Sequence, residues 1–203
     1  SGSMTISRDV STDGGDIDLD AEVSIVSALP AVGDLHISTS GSGSITVNAG
    51  RSVEFNANVL QKAVITTEDG SVTINGGGLV AAATVDTDGI QLDHARIQTA
   101  TGSINLTGTG GTDTGGNNDG IAARFSTIQS NSGHITLIGN GGAGGISQGI
   151  EFETVSVSTG GDTIMQGTGG ATGDRNSGMD FDNVTTVQAT GSGTVTLTGS
   201  GGD

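Results

Sequence analysis

A chain of 203 residues with 38 Gly, one Pro and no Cys is long enough for one sizeable domain and excludes disulfides, thiolate metal sites and a cysteine nucleophile. A formal net charge of −16, with 22 Asp and Glu against six Lys and Arg, argues against nucleic acid and anionic membrane surfaces as partners. Four Phe with no Tyr or Trp leave a thin, aliphatic core, while regularly placed Ile, Val and Thr argue against the disorder that so much glycine would otherwise suggest.

Along the chain, residues 1–4 read as a vector remnant, and the domain is expected over 5–203. No apolar run approaches the ~20 residues of a membrane-spanning helix, and no signal peptide is present. One signature then recurs: an aliphatic residue, a Thr or its substitute two places on, a glycine-bearing turn and a second aliphatic strand. It runs from Val10 to Ile17, Ile37 to Ile45, Ile65 to Val72, Ile97 to Ile104, Ile128 to Ile135, Val157 to Ile164 and Val187 to Val195. The steps between first residues are 27, 28, 32, 31, 29 and 30. A tandem period near 30 built of short alternating segments predicts a solenoid in which equivalent strands stack in parallel.

Later copies show the whole unit. Gly89, Gly149 and Gly178 open it, a second strand follows seven residues after Ile90, Ile121 and Ile150, a third follows, and Gly-rich stretches close it. The expected fold is therefore all-β: a right-handed parallel β-helix of about seven three-strand coils, the hand taken from the right-handed crossover rule. The regular repeats are 89–119, 120–148, 149–177 and 178–203. Coils within 5–88 are less regular, with Asn56 to Ala63 as a local insertion and Leu79 to Val85 suiting a corner or a strand insertion better than a helix. In the sixth copy either Thr163 takes the inward slot or a turn is trimmed.

The run 43–50 (GSITVNAG) resembles the repeats of filamentous-haemagglutinin-like exoproteins. The unit Gly-Ile-x-Phe followed by Gly-x-Ile-x-Leu-x-Gly-x-Gly-Gly resembles β-strand repeats of giant bacterial surface proteins. This resemblance covers almost the whole chain and implies a secreted, extracellular segment of an adhesin or stalk on the bacterial cell surface.

Candidate sites are few. Thr12, Thr39, Thr67, Thr99, Ser130, Thr159 and Ala189 form one column, read as hydroxyls satisfying corner backbone groups. Thr46, Thr73, Asn105, Thr136 and Thr196 form an outward column, interrupted too often for an ice-binding array. Phe55, Phe152 and Phe181 share a strand slot that holds Ala123 in one copy, and Phe125 is expected to compensate inside an aromatic stack. Acids and amides gather before the opening glycines, at Asp86 and Asp88, Asp113 to Asp119, and Asp174 and Asn176. Such loops offer oxygen ligands to Ca²⁺, with Asp113 and Asp119 as the metal-ligand candidates, although the turn preference of Asp and Asn explains them more simply. The scattered Arg96, Arg124 and Arg175, and His36, His94 and His134, do not suggest a catalytic cluster. The chain is thus expected to be a non-enzymatic stalk or adhesive segment. It would require no cofactor beyond an optional Ca²⁺, bind surface glycans or proteins, insert into no membrane and associate weakly end to end. A Ca²⁺- or glycan-binding module is the first alternative and a polysaccharide lyase or hydrolase a more remote one.

Overall fold

The computed structural model describes residues 2–30, 32–78, 87–112, 116–173 and 175–202. Twenty-one strands and no helix form three parallel sheets of seven strands among these residues. The first sheet contains Met4–Ile6, Ser24–Ser27, Ser52–Asn56, Ile90–Asp93, Ile121–Arg124, Ile150–Glu153 and Met179–Asp182. The second contains Val10–Thr12, Leu35–Thr39, Ala63–Thr67, Ala95–Thr99, Thr127–Ser130, Ser156–Thr159 and Thr186–Ala189. The third contains Ile17–Ala21, Ile45–Ala49, Val72–Gly76, Ile104–Thr109, Ile135–Asn140, Thr163–Thr168 and Val195–Ser200. One strand from each sheet makes a coil, and seven coils stack into a parallel β-helix, as the period of 30 predicts. The first strand takes in Met4, one residue before the expected boundary. The segment Leu79 to Val85 lies outside the described residues.

Alternation puts one side chain in two inside. Ile37, Ile65, Ile97, Ile128 and Val157 stack in the second sheet, each 0–1% exposed. Val72, Ile104 and Ile135 do the same in the third. No coil could bury its apolar face alone; each is covered by its neighbours above and below. The aromatic slot holds Phe55, Leu92, Ala123, Phe152 and Phe181 in register, and the rings of Phe152 and Phe181 stack 5.5 Å apart.

Phe125 does not join that stack. It is 50% exposed and lies against the His94 ring at 4.9 Å, outside the core. Its backbone explains the difference. Phe125 occupies the corner between the first and second sheets with φ of 48°, a left-handed conformation that turns the chain and throws the side chain outward.

Thr163 takes the inward slot of the sixth coil, pairing with Ile135, and this leaves Ile164 on the outer face in the threonine column. The trimmed turn is thereby absorbed without a change of register. The early coils keep the same three columns too; their irregularity sits in the connections. Between the first and second sheets the link is one to three residues in five coils, but seven in the second coil (28–34) and six in the third (57–62).

Candidate functional site

The three corners of the coil differ in kind. At the turn from the second to the third sheet, the hydroxyl column points inward and bonds glycine carbonyls. Thr39 donates to Gly15 O at 2.9 Å, Thr99 to Gly102 O at 2.6 Å and Ser130 to Gly102 O at 2.8 Å; Thr67 and Thr159 do likewise with Gly70 and Gly133. Glycine is required there: a Cβ on Gly102 would lie 1.8 Å from Gly70 O. Just past the turn, Asp16, Ser44, Ser71, Ser103, His134 and Asp162 each accept the N–H of the equivalent residue one coil on. This corner is a backbone-satisfying column, as its composition suggests.

The corner from the third to the first sheet carries the expected acidic loops. Asp113, Asp86 and Asp174 lie outside the described residues. Asp119 is 1% exposed. Its Oδ1 accepts the Gln148 N–H at 2.6 Å, and its own N–H donates to Asp88 Oδ1 at 2.9 Å. So Asp88 and Asp119 work as ladder acceptors between coils, like the Ser and Asp residues above. Burial, together with the charges of Asp88 and Glu151, pushes the Asp119 carboxyl up to about 9, so at neutral pH it holds a proton and bonds the Glu151 side chain. The neighbouring Gln148 is buried with no partner for its Oε1. No group of three or more His, Asp or Glu able to hold a metal occurs among the described residues.

The corner from the first to the second sheet, where the sequence places the local insertion Asn56 to Ala63, changes in length from one residue to seven and in side chain from coil to coil. Ala57, His94, Phe125 and Thr154 sit at equivalent positions, each N–H donating to the carbonyl of the next coil's last first-sheet residue: Asp93, Arg124, Glu153 and Asp182. His94, Phe125, Thr154 and Asn183 all have φ between 48° and 56°. Asn183 and His94 are of types enriched in this conformation, whereas Phe125 and the β-branched Thr154 are not. In the second and third coils the turn is replaced by two loops tied to each other. Gln61 Nε2 donates to Pro30 O at 2.8 Å and Gly33 O at 2.9 Å. Asn58 Oδ1 accepts the N–H groups of Leu60 at 2.8 Å and Gln61 at 3.1 Å. This bracing holds up Val32, Val59 and Leu60, which are 88%, 79% and 88% exposed, around a shallow apolar depression with Asn58 and Gln61 in its walls.

Charge follows the same edge. Arg8, Lys62, Arg96 and Arg124, four of the six basic residues, lie at or beside this corner, interleaved with Asp9, Asp34, Asp93, Glu153 and Asp182. No family model matches the chain, and neither curated proteins nor solved structures yield a match.

Proposed function

We propose that the chain is a structural, ligand-presenting rod: an extracellular stalk or adhesive segment of a bacterial surface protein of the filamentous-haemagglutinin-like kind. The observation that carries this reading is the division of labour in the coil. One corner is spent on a fixed hydroxyl–glycine device, and the other two vary over an unbroken core, from one residue to seven and from two to thirteen in length. Seven coils at ~4.8 Å per step make a rod about 34 Å long, and repeat arrays of this type carry recognition in loops on one face. No reaction is assigned to it. Surface glycans or proteins are its proposed partners, and stacking alone holds it without a cofactor.

Force spectroscopy tests the load-bearing half of this reading. Pulled end to end, the rod is expected to release coil-sized segments of ~30 residues in discrete steps; smooth extension without steps would contradict it. Antibody labelling of intact producing cells tests location, and signal only after lysis would count against the surface role.

A Ca²⁺-binding module is the second reading. It draws on the carboxyls of Asp119, Asp88 and Glu151, with Asp119 releasing its proton as the cation binds, and on the partnerless Gln148 Oε1, oxygen donors of the kind Ca²⁺ takes. Thermal melts in EDTA and in millimolar CaCl₂ separate the two: a rise in melting temperature with Ca²⁺ supports a cation site, and no shift leaves the rod metal-independent.

A further inference from the structure

The corner between the first and second sheets has a pattern of its own. Its first half protrudes, through the two braced loops of the second and third coils, and its second half is flush. Read from the second coil to the seventh, it presents Val32, then Leu60 with Lys62, then His94, then Phe125, then Glu153 with Thr154, then Val184, which is 79% exposed. A two-fold axis between the fourth and fifth coils would set these residues against one another in complementary pairs: Val32 with Val184, Lys62 with Glu153, and the His94 ring with Phe125. It would also seat each protruding half against the flush half of the other rod. A self-complementary patch of this sort is what an isologous dimer needs, and exposed aliphatic groups clustered on an otherwise strongly acidic chain mark an interaction surface.

We propose that this edge is a lateral interface with a second copy of the chain, packed antiparallel. Second copies fit better than a membrane, because the chain's charge of −16 repels anionic surfaces, whereas the edge carries both signs and the two-fold sets Lys62 against Glu153 and Arg124 against Asp93. Six coils make a strip about 29 Å long, at the small end of stable interfaces, so the dimer is weak, forming in the micromolar range. One opposition is unfavourable: Asp34 meets Asp182 of the partner subunit. This lateral contact is distinct from the end-to-end association expected from the sequence.

Sedimentation velocity from about 1 to about 200 µM tests it. The wild-type chain is expected to pass from monomer to dimer. Leu60→Asp, at a side chain 88% exposed, is expected to stay monomeric with an unchanged circular dichroism spectrum. Lys62→Glu should weaken association about tenfold and the double variant Lys62→Glu/Glu153→Lys should restore it, while Asp182→Asn should tighten it. Because the chain has no Cys, a mixture of Leu60→Cys and Thr154→Cys chains should oxidise to a mixed disulfide. A monomer throughout the range overturns the proposal. So does a dimer indifferent to Leu60→Asp and Lys62→Glu, which would place association at the rod ends. Flotation of a purely monomeric chain with zwitterionic vesicles, abolished by Leu60→Asp, would overturn it in favour of a membrane.

Discussion

The corner between the second and third sheets and the corner between the first and second do opposite things with the same coil. The former repeats one device, a hydroxyl on a glycine carbonyl, through six coils with a single Thr-to-Ser change. The latter changes length from one residue to seven and carries His, Phe, Thr, Asn and aliphatic side chains outward. Both sit on the same stacked aliphatic core, so the difference is not one of support. A corner whose turn fits against the coil below has no room to vary; one that turns outward through a left-handed residue or a loop leaves its neighbours undisturbed.

The sharpest way to break this comparison is to crowd the first of these corners. Gly102→Ala forces a Cβ onto Gly70 O and is expected to cost about 3 kcal/mol or to abolish folding, measured by urea denaturation. Removing the hydroxyl instead, in Thr99→Ala, takes one of two donors from the buried Gly102 carbonyl, which Ser130 still serves, and should cost about 1 kcal/mol. The third corner gives a pH signature. In acid, both folded and unfolded chains hold the Asp119 proton. As pH rises from the ordinary carboxylate range towards 9, the unfolded chain releases it while the folded chain keeps it, so stability falls. The slope from this group reaches at most about 1.4 kcal/mol per pH unit. Asp119→Asn should remove it, with the gap in melting temperature between variant and wild type widening from pH 5 to pH 8. Thr163→Val, which relieves a buried hydroxyl with no hydrogen-bond partner, should stabilise by about 1 kcal/mol. At the outward-turning corner effects should be smallest or reversed. Phe125→Gly relaxes a left-handed bulky residue and should be neutral or stabilising by up to about 1 kcal/mol, and Val59→Asn should lie within about 0.5 kcal/mol of wild type.

The coil was legible because strand alternation and glycine spacing state it directly. Ile37, Ile65, Ile97 and Ile128 announce the second sheet by position, and the Thr column announces the hydroxyl corner. The irregular early coils were harder, since a loop of six or seven residues displaces the signature without displacing the strand. The corner between the first and second sheets was legible only at the insertion Asn56 to Ala63, which is the loop 57–62 of the third coil. Arg124-Phe125-Ser126 contains neither Gly nor Asn to mark a positive φ, so Phe125 read as a core residue when its backbone turns it out. The proton on Asp119 was equally hidden: Asp88 and Gln148 are close in space but 31 and 29 residues away in sequence, and burial depends on how three loops stack.

The most direct measurement is a paired thermal melt of Gly102→Ala and the double variant Val59→Asn/Leu60→Asn at the same concentration. The account predicts a large fall in melting temperature for Gly102→Ala and none beyond a degree or two for the double variant, about the span of 0.5 kcal/mol in a domain of this size. Comparable losses in both would contradict it, because the loops would then be holding the rod together instead of riding on it.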